Sequence, residues 1–144
     1  MAELDSPAEA GLVARWRELL ARHAASACAL DRELGERFGL GMSEFEVLER
    51  LVEGCAAGGG HALRVSELAP TVHLSQSALS RLIARLEKAG LVTRSMCESD
   101  RRGIVLTLTE AGRERYEQAR PLHREVLAQT LGGGFGAACE VPSD

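Results

Sequence analysis

The stretch Leu74–Thr109 constrains this chain more than any other, because it contains a helix with readable ends followed directly by two strand-like runs. In Leu74-Ser75-Gln76-Ser77-Ala78-Leu79-Ser80-Arg81-Leu82-Ile83-Ala84-Arg85-Leu86-Glu87-Lys88-Ala89-Gly90, the Ser75 hydroxyl is placed to cap the first free amides. Gly90 can adopt the left-handed conformation that closes a helix. Leu79, Leu82, Ile83 and Leu86 recur at helical spacing and form one buried stripe. The opposite face then presents Gln76, Ser77, Ser80, Arg81, Ala84 and Arg85, a small, polar and basic surface that can lie against DNA.

Two runs follow, Leu91–Cys97 and Ile104–Leu108, joined by Glu98-Ser99-Asp100-Arg101-Arg102-Gly103. Apolar residues alternate in the second run and the connection is rich in turn formers, so the pair reads as a β-hairpin with an arginine-tipped loop. A helix followed by such a hairpin is a winged helix. From Leu74 to Leu108 there are six basic residues (Arg81, Arg85, Lys88, Arg94, Arg101, Arg102) against three acids (Glu87, Glu98, Asp100). This local +3 stands in a chain of net −4, leaving −7 elsewhere. Positive charge is concentrated where a duplex would sit.

These features, with Leu63-Arg64-Val65-Ser66-Glu67-Leu68-Ala69 and above all Asp100-Arg101-Arg102-Gly103-Ile104-Val105-Leu106-Thr107-Leu108-Thr109-Glu110-Ala111-Gly112, resemble the MarR family of bacterial transcription regulators. The resemblance covers about half the chain. It implies a homodimeric winged-helix repressor or activator whose DNA affinity responds to a small ligand, an oxidant or a metal. The expected fold is mainly α with a small β-hairpin wing, a single domain over 1–144. Dimerisation helices are expected at 6–38 and 109–131, a winged helix-turn-helix lobe at 43–108 and a flexible tail at 132–144.

The N-terminal half supports this organisation. Ser6-Pro7-Ala8-Glu9 is a helix start with Ser6 as cap, Pro7 at the first helical position and Glu9 placed to complete a capping box. Leu12, Trp16, Leu19, Leu20, His23, Ala27, Leu30, Leu34 and Phe38 then mark one apolar face until Gly39. A helix this long exceeds what a 144-residue chain needs for its own core, so part of that face is expected to form a dimer seam. A second helix is expected to start with a Ser43–Glu46 capping box stapled by Met42 and Val47, burying Phe45, Leu48, Leu51 and Val52. Residues 56–61 read as a flexible loop. Ser66 is expected to cap a short third helix through about Val72, with Pro70 in its first turn and Thr71–Leu74 as the turn of the helix-turn-helix.

Thr109 is placed to cap a last helix carrying Ala111, Tyr116, Ala119, Leu122, Val126, Leu127 and Leu131 toward the seam, with Pro121 expected to kink or break it. The segment from Gly132 to Asp144 reads as a tail, where the resemblance implies a further amphipathic helix.

The expected interface with double-stranded DNA comprises Ser75, Gln76, Ser77, Ser80, Arg81, Arg85, Arg94, Arg101 and Arg102. Gln can bond adenine bidentately, Arg can bond guanine or phosphate, and serines near a helix N-terminus suit phosphate oxygens. On the wing, the resemblance implies that Asp100 and Arg102 form a structural pair, leaving Arg101 for the minor groove. The DNA target of a homodimer would be a pseudo-palindromic operator. Arg15, Trp16 and His23 are candidates for binding a small aromatic or anionic effector, against the alternative that they are ordinary seam and surface residues.

The four cysteines, Cys28, Cys55, Cys97 and Cys139, lack Cys-x-x-Cys spacing, which argues against a structural zinc site. Cys28 reads as a buried apolar residue and Cys97, near Arg94, as the better-placed thiolate. The four histidines show no i, i+4 pairing, though His123 could meet Cys28 or Glu33 across a seam. Neither a metal, a cofactor nor a catalytic set is expected. No apolar run approaches the ~20 residues of a membrane span and no signal sequence opens the chain, which reads as cytoplasmic. Two alternatives stay open: a thiol-based redox-sensing regulator, and a winged-helix module used only for protein contacts.

Overall fold

The computed structural model describes residues 6–54, 62–96 and 103–132. Its elements run α1 (Pro7–Phe38), α2 (Met42–Gly54), β1 (Ala62–Arg64), α3 (Val65–Val72), α4 (Gln76–Lys88), β2 (Val92–Met96), β3 (Ile104–Leu108) and α5 (Glu110–Leu131). The strands form one antiparallel sheet in the order β1-β3-β2, with Leu63 opposite Leu106, Val92 opposite Leu108 and Met96 opposite Ile104. The hairpin therefore has a third strand beside it. At three residues, β1 is too short for alternation to announce it.

The core joins the two layers. Phe45, Val47, Leu48 and Leu51 of α2 are fully buried with Leu68 of α3, Leu79 and Ile83 of α4 and Leu106 of β3. Leu30 and Leu34 of α1 and Tyr116, Ala119, Leu122 and Val126 of α5 extend this core into the helical base. The α5 residues expected at a dimer seam thus pack within their own chain, while Ala111 is exposed and Leu127 and Leu131 are half-buried. Ser26 on α1 donates a hydrogen bond to the Thr130 hydroxyl on α5 (2.8 Å), and Arg115 Nη1 donates to the Phe38 carbonyl (2.8 Å), clasping the C-terminal half of α1 to α5.

α1 itself is about 48 Å long at 1.5 Å per residue and only its second half is covered. Residues 10–21 are exposed throughout, with Leu12 61% and Trp16 57% accessible. Its ends form as expected: the Ser6 hydroxyl accepts from Glu9 N (3.1 Å), and Gly39 closes the helix at φ 66°. The other limb of that capping box is incomplete, since Glu9 Oε1 has no partner among the described residues.

Four local expectations change. α2 starts at Met42, not behind Ser43: Glu44 Oε1 accepts from Gly41 N (2.7 Å) and Asp31 Oδ1, reaching across from α1, accepts from Met42 N (2.7 Å). α3 starts behind Arg64, whose amide is held by Glu67 (3.2 Å), so Ser66 lies within the helix and Pro70 past its first turn. Because α3 runs to Val72, the turn contracts to His73–Ser75, with His73 left-handed at φ 58°. α5 runs unbroken through Pro121, carried by the packing of Ala119, Leu122 and His123 on either side. The proposed tail beyond Gly132 and the loop at 56–61 lie outside the described residues.

Candidate nucleic-acid interface

α4 is built as a presenting helix. The Ser75 hydroxyl accepts from Ala78 N (3.2 Å), Gly90 reverses the chain at φ 80°, and Leu79, Leu82, Ile83 and Leu86 anchor one face in the core. Gln76, Ser77, Ser80, Arg81, Ala84 and Arg85 are all exposed on the other face. Ser75 and Ser77 hydroxyls lie 3.4 Å apart at the helix N-terminus, where free amides and the helix dipole favour anions.

The arginines of this surface are not equivalent. Among the described residues Arg81 has no charged or hydrogen-bonded partner. Arg85 Nε donates to Glu44 Oε2 (2.9 Å), tying the recognition helix to the start of α2. Arg94, on β2, donates through Nε to Glu87 Oε1 (3.0 Å) on α4, with Nη2 also 3.0 Å from that oxygen. Two of the cations counted toward the local positive charge are therefore neutralised within the chain. Arg101, Arg102 and Asp100, expected at the wing tip, lie outside the described residues, as do Cys55, Cys97 and Cys139.

Where α5 meets the wing, Thr109 joins three elements. Its hydroxyl accepts from Gly112 N (3.0 Å) and donates to the Gly90 carbonyl (2.7 Å), and its amide donates to the Leu91 carbonyl (3.0 Å). The Leu-Thr-x-x-Gly signature thus fixes how the last helix leaves the sheet. Gly112 is required by space, since a Cβ there would lie 2.1 Å from the Leu91 carbonyl oxygen.

A cavity of about 530 Å³ opens between the base and this lobe, bounded by α1, α2, the α3–α4 turn and α5. Leu30, Met42, Val72, Leu74 and Leu127 form its apolar walls, and His23, Ser26, Glu46, Arg50, His73 and His123 its polar ones. Of the three expected effector residues, His23 lines this cavity. Arg15 and Trp16 stand on the exposed half of α1, away from it. Arg50 is held by two acids, Glu46 at 3.3 Å and Glu53 at 3.5 Å.

Behind the cavity lies a polar network that the sequence reading missed. Glu49 Oε2 accepts from the Tyr116 hydroxyl (2.8 Å) and both Glu49 oxygens accept from Arg124; Arg124 Nη1 also lies 2.7 Å from His123 Nδ1, and His123 stacks on Phe45 with ring centroids 4.1 Å apart. Burial pushes the Glu49 carboxyl up, but the Arg124 and Tyr116 hydrogen bonds outweigh it and hold the group below the usual value. Burial and then the Arg124 charge lower His123, leaving its ring neutral near pH 7. Burial and the Glu49 carboxylate raise Tyr116. Glu49 sits four residues after Phe45, inside the apolar stripe of α2, and that misplaced acid was the available signal.

Glu46, Glu49 and His123 bring possible metal-ligand atoms within 4.8 Å of one another, yet the Arg124 guanidinium bonded to two of them supplies the cation there. His123 is thus buried within its own chain rather than facing Cys28 or Glu33 across a seam. Cys28 is exposed, contrary to the buried position expected for it.

The MarR family model matches residues 59–104, the stretch from before β1 to the start of β3. AbsC, a MarR family transcriptional regulator from Streptomyces coelicolor, superposes with a TM-score of 0.77 at 33% identity, over 93% of this chain and 85% of that one. The chain belongs to the MarR family. Sco3205, another MarR family transcriptional regulator from Streptomyces coelicolor, was solved in complex with DNA and superposes with a TM-score of 0.78 at 31% identity, over 94% of this chain and 84% of that one. Among curated proteins, the HTH-type transcriptional repressor MdtR of Bacillus subtilis (strain 168) is 33% identical over 70 residues, 49% of this chain and 45% of that protein. The chain spans about half the length of the curated relatives it matches. No helix among the described residues of this MarR family member is long and apolar enough to cross a membrane.

Proposed function

We propose that this chain is a homodimeric, sequence-specific DNA-binding regulator of transcription, a repressor released by a small effector. The observation that carries the reading is the outward face of α4, where Gln76, Ser77, Ser80 and Arg81, unpartnered among the described residues, are exposed while the reverse face is locked into the core. A side chain with that freedom costs nothing to detach before it meets a phosphate or guanine. The DNA complex of Sco3205 supports the same use of the fold.

The uncovered stripe of Leu12, Val13, Trp16, Leu19 and Leu20 supplies the dimer seam. Five exposed large apolar side chains along one helix form a patch of the kind that marks an interface. Residues 6–38 and 109–131 act as the dimerisation base and 43–108 as the DNA-reading lobe. Two α4 helices enter successive major grooves of a pseudo-palindromic operator, while the wing arginines Arg101 and Arg102 serve as further DNA contacts. The cavity beside His23 receives the effector, an aromatic or anionic small molecule, and its occupancy shifts the dimer between DNA-competent and incompetent spacings. The protein acts by binding, not catalysis, in the cytoplasm.

Arg81→Ala tests the interface. It is expected to weaken operator binding about tenfold and to lower the salt slope of log affinity by about 0.9, the loss of one phosphate contact, with an unchanged dimer by sedimentation. An unchanged binding isotherm at matched salt refutes the assignment.

A further inference from the structure

We propose that Glu44 is a positioning residue for DNA recognition: it holds Arg85 by its Nε so that the guanidinium edge is presented, already oriented, to the duplex. The inference rests on the DNA-binding reading above and adds to it a residue that never touches DNA.

The geometry has three parts. First, Glu44 is itself fixed. Its Oε1 accepts from Gly41 N at 2.7 Å, its side chain is 13% accessible, and the neighbouring Met42 N is held by Asp31 Oδ1 at 2.7 Å. The carboxylate therefore stands on the backbone at the start of α2, anchored in turn to α1. Second, Glu44 reaches Arg85 through one nitrogen, with Nε to Oε2 at 2.9 Å, and no other described group bonds that guanidinium. Nη1 and Nη2, four of the five N–H donors of an arginine, are left for an incoming acceptor. Third, the Arg85 side chain is 63% accessible and projects from the face of α4 that carries Gln76, Ser80 and Arg81. A long, mobile side chain loses considerable rotamer entropy when it binds; one already pinned near its base loses less.

The wing arginine provides a contrast. Glu87 engages both Nε and Nη2 of Arg94 and is itself an exposed side chain on α4, so that pair is a surface brace with fewer donors to spare. Arg85 is the arginine whose carboxylate partner is itself held, through its other oxygen, by a backbone amide. That anchorage passes the wall of the cavity, because Met42 and Ser43 line it and Glu46 follows one turn later. Displacement of the α2 start would move the carboxylate on which Arg85 rests.

The test is a double-mutant cycle by fluorescence anisotropy, at several salt concentrations, on a duplex selected by the parent protein from random sequence. Arg85→Ala should weaken binding about tenfold and lower the salt slope by about 0.9. Glu44→Ala should weaken binding about fivefold with the slope nearly unchanged, since no phosphate contact is deleted, and should add nothing in the Arg85→Ala background. Glu44→Gln keeps an oxygen for Gly41 N and the unfolding midpoint of the parent, and should still show that coupling. Tighter binding by Glu44→Ala would mean that Glu44 competes with DNA for Arg85, and would overturn the proposal. An equal loss with and without Arg85, or no effect of Glu44→Ala in a parent that binds, would overturn it too. Failure of the parent to select any duplex refutes the DNA-binding reading, and this inference with it.

Discussion

Replacing Gly112 by alanine is expected to destabilise the protein by about 1–3 kcal/mol, although Gly→Ala within a helix ordinarily stabilises. Gly112 lies in the first turn of α5, and an alanine there would gain about 1 kcal/mol of helix propensity. Against that, its Cβ would meet the Leu91 carbonyl oxygen at 2.1 Å and Leu108 Cδ1 at 2.8 Å. The carbonyl must retreat by about 1 Å to reach van der Waals contact. It cannot do so freely: it accepts the Thr109 amide at 3.0 Å, and Leu91 N is bonded to the Leu86 carbonyl at 3.0 Å. Loss of the Thr109 hydrogen bond costs about 1 kcal/mol, and repacking Leu91 and Leu108 around an extra methyl about 1–3 kcal/mol. The sum exceeds the propensity gain. At about 3 °C per kcal/mol for a chain of this size, thermal unfolding at matched protein concentration should shift down by roughly 3–9 °C. Because the strain sits where α5 leaves the sheet, operator affinity should fall as well. An upward shift would mean that the first turn of α5 is not packed against Leu91 and would refute this account of the signature.

Glutamate at both Trp16 and Leu20 should convert the dimer to monomer by sedimentation and abolish operator binding, while circular dichroism stays helical; a persisting dimer would place the seam elsewhere. Tyr116→Phe removes one donor from Glu49 but leaves Arg124 in place, so it should cost about 1–2 kcal/mol in urea unfolding; no loss would mean that Arg124 alone satisfies the carboxylate. Two pH windows should separate. His123 has a folded pKa below its ordinary 6.5, so the unfolded chain takes up the proton first. Stability from this group is complete above about pH 6.5 and falls as pH drops toward the folded value. Glu49 has a folded pKa below its ordinary 4.5, so its contribution persists at pH 5.5 and is lost only as pH falls through the folded value. Urea midpoints at pH 7.5 and 5.5 should differ in the parent and differ less in His123→Asn; equal differences would clear His123 of the effect.

Much of this fold was legible because the determining interactions are local. Ser6, Ser75 and Thr109 each bond the amide three residues on, and Gly39 and Gly90 each take a positive φ, as short-range patterns require. The buried stripe of α4 follows from spacing alone. What escaped the sequence depends on contacts between distant elements. The start of α2 is set by Asp31 from another helix, so a Ser43 cap that looked adequate locally lost to a carboxylate eleven residues before Met42. Arg85 and Glu44 are 41 positions apart, and Glu49 and Arg124 are 75. The apolar stripe of α5 gave no sign of which partner it faced; Tyr116, Ala119, Leu122 and Val126 proved to face their own α1 and α2, while the first half of α1 stays exposed. Arg15, Trp16 and His23 look clustered in sequence, yet one lines the cavity and two do not, because the cavity begins only where α1 meets α5.

The most direct test of the central claim is fluorescence anisotropy of the purified protein against the duplex immediately upstream of its own gene and a scrambled duplex, each titrated at several salt concentrations. Saturation at two chains per upstream duplex, with the scrambled duplex bound at least 10³-fold more weakly, is the expected result. Equal affinity for both duplexes, or binding to neither, would contradict the assignment of a sequence-specific regulator acting at that site.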